Sequence, residues 1–339
     1  MKEKIRGLDF VRAFCIIGIA TYHTSIIFIN ESNITNSFFG RLASSGWGNI
    51  FVTVFFVLSG FCLVYNNEYP INIKGYYKKR FLSIFISFYL VWLVMFFKNV
   101  FVHKSLFYAG RPASILLSFI GMDGYWGGSY YFIGEWFLGA LIICYLLYPV
   151  LLYGFHKNKW VTSVIVTVLY FIGLKHKIGF WDISFRGVFT CLMSFWIGIM
   201  LGQEKVNKEI QKSPLVFVVA ADVFWHLYTC KVTGLDSTTW SVLMGVTFFI
   251  AMCVVGDKIT KSDLLYKVIK FLSAISYQIF LLHHLIIYKF NSVVKGMNIE
   301  MTRVKTVVLY LMLMIIIIAC SWILKKVNDV IVKKLKRSR

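Results

Sequence analysis

Arg6-Gly7-Leu8-Asp9-Phe10-Val11-Arg12-Ala13-Phe14-Cys15-Ile16-Ile17-Gly18-Ile19-Ala20-Thr21-Tyr22-His23 opens an apolar run that continues through Ile26-Ile27-Phe28. About 20 such residues cross the hydrocarbon core of a bilayer as one helix. The basic start before it superficially resembles a signal peptide. The run is too long for one, holds polar residues and closes on no A-x-A-like site, so it reads as an uncleaved first transmembrane helix. Three ionisable side chains lie in it: Asp9, Arg12 and His23. Ionisable groups inside a membrane are costly and point to function by default. Arg12 and His23 are separated by about three helical turns, so they share a face, with a rise of about 16 Å between them. Asp9 stands one turn before Arg12 and can pair with it. The plainer reading makes Asp9 and Arg12 an interfacial ion pair that snorkels to the headgroups, and His23 a satisfied core histidine. Against it, histidine is the side chain best suited to proton transfer near neutral pH. A buried cation on the same face suggests a reaction site reaching inward from the cytoplasm.

The rest of the chain shares this character. Its 339 residues are 58% hydrophobic and 15% charged, with a mean hydropathy of +0.72. A soluble domain has about 45–50% apolar and about 25% charged residues. That excludes a soluble enzyme, a disordered scaffold and a secreted disulfide module. Hydropathy predicts an all-α, polytopic membrane protein of about ten transmembrane helices. They run over 8–28, 48–66, 81–101, 132–153, 160–174, 185–201, 214–230, 238–256, 270–290 and 306–324. The stretch 114–121 is apolar but too short to span, and reads as re-entrant or interfacial.

The formal charge is +21, from 36 Lys and Arg against 15 Asp and Glu. In a soluble chain this would suggest nucleic acid. Here the basic residues sit in short loops between apolar runs. With both termini cytoplasmic, about two-thirds of them fall on the inner side, as the positive-inside rule requires. The expectation is a membrane protein with no nucleic-acid partner. Residues 1–339 read as a single integral membrane domain, without internal repeat or appended soluble domain. Cys15, Cys62, Cys144, Cys191, Cys230, Cys253 and Cys320 show no metal spacing and read as small core hydrophobes.

Further motifs follow along the chain. The longest outer segment contains Asp123-Gly124-Tyr125-Trp126-Gly127-Gly128-Ser129-Tyr130-Tyr131. It is either an interfacial aromatic belt or a sugar-facing loop, since aromatic faces pack on carbohydrate C–H surfaces. His283 and His284 end an apolar stretch, as helix caps or as a second positioning histidine. Asp222 and His226 share a helix face.

Taken together, the residues resemble the acyltransferase-3 family of integral membrane acyltransferases. The first helix matches in Arg6-Gly-Leu-Asp-Phe-Val-Arg12-Ala and Tyr22-His23, an Arg and a His about three turns apart. Phe55-Phe56-Val57-Leu58-Ser59-Gly60-Phe61 resembles the family's second-helix signature. Trp136-Phe137-Leu138 through Tyr145-Leu146-Leu147-Tyr148-Pro149 resembles its central helix. Ser276-Tyr277 with Phe280-Leu281-Leu282-His283 resembles its penultimate helix. The family's ten-helix layout agrees with the hydropathy count.

The resemblance implies transfer of an acyl group, most often acetyl, from acetyl-CoA or another acyl-CoA to a hydroxyl of an envelope or exported polysaccharide. No bound cofactor is implied, the acyl-CoA being a substrate. It makes His23 the catalytic general base or acyl carrier, Arg12 the group that stabilises negative charge, and Asp9 the group that orients Arg12. Lys78, Lys79 and Arg80 form a cationic cluster suited to donor phosphates, or else a positive-inside anchor. Tyr22, Trp126, Glu135, Trp136 and His283 are acceptor-site or supporting candidates. No metal ligand is implied. The chain departs from the family at Ser83, where a second basic residue is frequent, and at Ile86, where a proline is. It also departs at Leu141 and Ile142, where one branch carries paired glutamates. A multi-pass protein of a bacterial plasma membrane, with a glycan or lipid-linked glycan acceptor, is the resulting expectation. Two other readings stay open: a transporter or flippase of a glycan precursor, and a membrane N-acetyltransferase. The acceptor position, the acyl length and the oligomeric state are left open by the sequence.

Overall fold

A computed structural model describes residues 5–32, 37–102, 104, 113–122, 125, 133, 136–176, 184–203, 220, 223, 236–297 and 302–337. The predicted span 214–230 lies outside them except for Ala220 and Val223. So do Trp126, Glu135, Asp222 and His226. The described residues are helical and contain no strand. The helices are α1 Arg6–Ser32, α2 Ser37–Ser44, α3 Trp47–Asn66, α4 Ile73–Val102, α5 Ala113–Phe119 and α6 Trp136–Lys175. They continue with α7 Val188–Leu201, α8 Ser237–Ile259, α9 Asp263–Ala274, α10 Ser276–Gly296 and α11 Arg303–Arg337. Six of them (α1, α3, α4, α6, α8 and α11) are long and apolar enough to cross a bilayer. The pair α9 and α10, bent by 64°, makes up to seven if it forms one broken span. This fits a polytopic membrane protein.

Three of the predicted stretches take a more definite form. From Trp136 on, the spans predicted over 132–153 and 160–174 correspond to the two segments of α6, which are separated by a break at Asn158 (φ −160°, ψ 97°). The Asn158 side chain accepts hydrogen bonds from the amides of Trp160 and Val161, both at 3.1 Å, and so caps the second segment. A Cβ on Gly154 would lie 2.6 Å from Thr162 Oγ1. A straight helix would hold those residues about 12 Å apart, so the chain folds sharply here. The apolar run 270–290 is broken at Ile275, which separates α9 from α10. The short piece 114–121 overlaps α5, whose Ser118 hydroxyl accepts a hydrogen bond from Trp92 Nε1 of α4 at 3.0 Å.

The chain divides into two compact units. One is Lys4–Val52 with Val255–Arg339, and the other contains Thr53–Val254. In the first, α1 packs on α2, α9 and α10, and α10 on α11. Val11, Cys15, Ile16 and Ile19 of α1 are buried there, as are Ile279 and Ile287 of α10 and Leu313 and Ile317 of α11. The Thr21 and Tyr310 hydroxyls, 2.7 Å apart, link α1 to α11.

In the second unit, α3 and α7 cross at glycines. A Cβ on Gly60 would collide with the Phe195 carbonyl, and one on Gly198 with the Val57 carbonyl. Small residues let helix backbones approach this closely in membranes. Pro149 shapes the α4–α6 contact. It has no N–H to offer the Tyr145 carbonyl one turn earlier. Tyr76 supplies the missing donor, its hydroxyl bonding Tyr145 O at 2.9 Å, and Tyr77 donates to Leu146 O at 2.9 Å. The described cysteines form no disulfide.

Candidate functional site

Two groups of polar side chains lie on α1 of the first unit, and both recruit partners distant in sequence. The first is centred on Asp9. Arg12 Nη1 is 3.6 Å from Asp9 Oδ1, an i,i+3 pair whose side chains are 31% and 15% exposed respectively. Ser273, the penultimate residue of α9, donates from Oγ to Asp9 Oδ1 at 2.9 Å and accepts from Arg12 Nη1 at 3.2 Å. The Tyr266 hydroxyl donates to Asp9 Oδ2 at 3.1 Å. Both Asp9 oxygens are therefore engaged, and the carboxylate holds Arg12 through a direct contact and through Ser273. A network of this kind, where each group fixes the next, gives a guanidinium one orientation rather than many.

The start of α1 is anchored on the same side. Arg6 donates to the Thr260 carbonyl at 2.9 Å, lies 3.4 Å from Asp263 and stacks 4.5 Å above the Tyr266 ring. The Gly7 amide donates to Asp257 Oδ1 at 2.6 Å. These contacts fix the first turn of α1 against the end of α8 and the start of α9.

The second group is a cluster of three histidines. His23 of α1 faces His283 and His284 of α10, with ring centroids 5.3 Å and 4.1 Å away. The two α10 rings are 4.4 Å apart. His283 is buried, 1% exposed. Its Nδ1 lies 3.1 Å from Ile279 O and 2.8 Å from Phe280 O. A carbonyl only accepts, so the neutral ring carries its proton on Nδ1 and its lone pair on Nε2. Tyr22 lies edge-on to His23 at 5.5 Å. The Tyr22 ring fits against Gly48, where any side chain would collide with it.

The sequence-predicted residues thus fall into separate places. Asp9 and Arg12 form one group, and His23, Tyr22 and His283 another, about 16 Å further along α1 by helical rise. Lys78, Lys79 and Arg80 belong to the second unit. Both lysines are exposed, and Arg80 is half-buried with its guanidinium 5.6 Å from the Tyr145 ring. Arg80, Tyr77, Phe81, Ile84, Ile142 and Tyr145 are among the residues lining an apolar cleft of about 230 Å³. Trp136 stacks edge-on against Phe185 at 5.7 Å, under the Arg186 guanidinium. Sequence reasoning missed Ser273 and Tyr266. Their only signal was a hydroxyl-bearing face on an amphipathic helix.

The arrangement offers a lone-pair nitrogen cluster for proton transfer and an oriented guanidinium for an anionic group. The sequence profile of one family, described as an acyltransferase domain, matches residues 5–326. No curated protein and no solved structure matches the chain.

Proposed function

The chain belongs to the acyltransferase-3 family, and on that premise we propose that it is a membrane O-acyltransferase. It moves an acetyl group from acetyl-CoA to a hydroxyl of a cell-envelope polysaccharide. The observation that carries this reading is the convergence of His23 with His283 and His284, on the helix that also carries the held Arg12.

In the proposed step, His23 accepts the proton of the acceptor hydroxyl as its oxygen attacks the thioester carbonyl carbon. The C–S bond then breaks, the acyl group stays on the acceptor oxygen, and the thiolate leaves and takes up a proton. The separation of about 16 Å along α1 decides the role of Arg12. It is too far from His23 to meet an oxyanion formed there. The proposal assigns Arg12 to a phosphate of the donor, whose long pantetheine arm leads away from the thioester. Asp9, Ser273 and Tyr266 position Arg12. In the other unit, Lys78, Lys79 and Arg80 form a separate cationic group whose charge suits phosphate. The layout proposed for the whole chain is about ten spans with both termini cytoplasmic, in a bacterial plasma membrane.

The test uses membranes that contain this protein alone, with acetyl-labelled CoA and purified envelope polysaccharide. Label should pass to the glycan and be released by mild alkali, because esters are cleaved under mild base and amides are not. Alkali-stable label would identify an amine acceptor instead. No transfer, with glycan movement across the membrane, would favour a transporter.

A further inference from the structure

His23, His283 and His284 do more than meet. One ligand nitrogen from each lies within 4.8 Å of the others. Three nitrogens at about 2.0–2.1 Å from a tetrahedral zinc stand about 3.4 Å apart. The cluster therefore needs to contract by about 1.4 Å at most, which small rotations about the side-chain torsions supply.

His283 is already arranged as a ligand. Its Nδ1–H points to the Ile279 and Phe280 carbonyls at 3.1 Å and 2.8 Å, which leaves Nε2 as the coordinating atom. Metal-bound histidines are held in this manner, with the second ring nitrogen donating to a backbone carbonyl or a carboxylate. Adjacent residues on a helix are about 100° apart, so His283 and His284 approach a common point from two directions. His23 closes that point from α1.

We infer that these three histidines form a binding site for one divalent transition cation of the zinc class. Neutral imidazole suits zinc, copper, nickel and cobalt better than magnesium or calcium. Three protein ligands leave the fourth tetrahedral position open. A consequence rests on the reading of His23 as the base: the cation occupies the lone pair that takes the acceptor's proton, so the loaded protein is silent in acyl transfer.

The experiment titrates the purified full chain, in detergent and freed of metal by chelation, with Co²⁺. The readout is the visible absorption of four-coordinate cobalt. One cobalt per chain should bind and be displaced by Zn²⁺. His284→Gln and His283→Gln should each weaken binding by more than about tenfold. His156→Gln, at an exposed position in the other unit, should leave it unchanged. A cooperative, metal-free melt of His284→Gln near the intact chain's melting temperature, with the Zn²⁺-induced rise present only in the intact chain, separates loss of the site from misfolding. Absence of stoichiometric cobalt in the intact chain, or full binding by His284→Gln, overturns the site. Transfer is then assayed separately with and without Zn²⁺. Strong suppression is expected. A metal-loaded chain that transfers at the full rate would refute His23 as the base while leaving the cation site standing.

Discussion

Asp9 takes two hydroxyl donors from α9, Ser273 and Tyr266, and Ser273 passes the contact on to Arg12. Hydrogen bonds to charged groups contribute about 1.5–3 kcal/mol. Under the proposed role, Ser273→Ala should lower kcat/KM by about ten- to a hundredfold. The loss should fall mainly on KM for acetyl-CoA, and Ser273→Thr should keep most of the activity. Wild-type kinetics in Ser273→Ala would show that Arg12 needs no such positioning. Arg12→Lys keeps the charge but loses the planar fork. It should raise KM for the donor and spare kcat, because it acts about 16 Å from the reacting hydroxyl. A fall in kcat at constant KM would place Arg12 at the transition state. The Asp9–Arg12 pair was legible from its one-turn spacing. The Ser273 and Tyr266 contacts were not, because a contact between residues so far apart in the chain leaves no local pattern. His284 was legible as a residue, yet its approach to His23 depends on how α10 meets α1.

At the scale of elements, proline and glycine explain two contacts that hydropathy cannot see. Pro149 leaves the Tyr145 carbonyl without its helical donor, and Tyr76 replaces it. Tyr76→Phe should cost about 1 kcal/mol, the lower end of the penalty of an unsatisfied acceptor, because the bond is only partly buried. The cost should shrink in the Pro149→Ala background, where residue 149 regains an N–H. Melting curves of the single and double variants measure this coupling; additive losses would contradict it. At the α3–α7 crossing, the atoms facing Gly198 are backbone and cannot step aside. Gly198→Ala should therefore cost toward the upper end of about 1–3 kcal/mol. A melting temperature equal to wild type would mean that the crossing is loose enough to admit a methyl group. Hydropathy made α1, α3, α4 and α11 legible, and the polar Lys157-Asn158-Lys159 marked the break in α6. The break at Ile275 was hidden because no glycine, proline or charge marks it: Ser273-Ala274-Ile275-Ser276-Tyr277-Gln278 separates Phe271-Leu272 from Ile279-Phe280. Its charges Asp263, Lys267 and Lys270 and its length of 12 residues distinguish α9 from a spanning helix.

For the whole molecule, the surface carries the membrane signal. Leu93, Val94, Phe97 and Phe101 of α4 are exposed, as are Val304, Leu311, Ile315 and Trp322 of α11. Patches of this kind are unfavourable in water and suited to acyl chains. The proposed inside location of both termini predicts that reporters fused before Met1 and after Arg339 are active only in the cytoplasm. An outward C-terminus would mean an odd number of spans. Membrane character was legible from composition, since no soluble core could bury so apolar a chain, and helical class from the length of the apolar runs. The grouping of three histidines was not, since it is a property of the assembled helices. The proposed function turns on His23 taking the acceptor's proton in acyl transfer to an envelope glycan. The most direct measurement is the O-acetyl content of that polysaccharide by proton NMR. It is made in cells with the intact protein, a deletion, and His23→Ala at matched membrane abundance. Acetyl signals are expected with the intact protein and in neither of the other two. Unchanged acetylation in His23→Ala, or unchanged acetylation with altered amounts of surface glycan in the deletion, would contradict the proposed function.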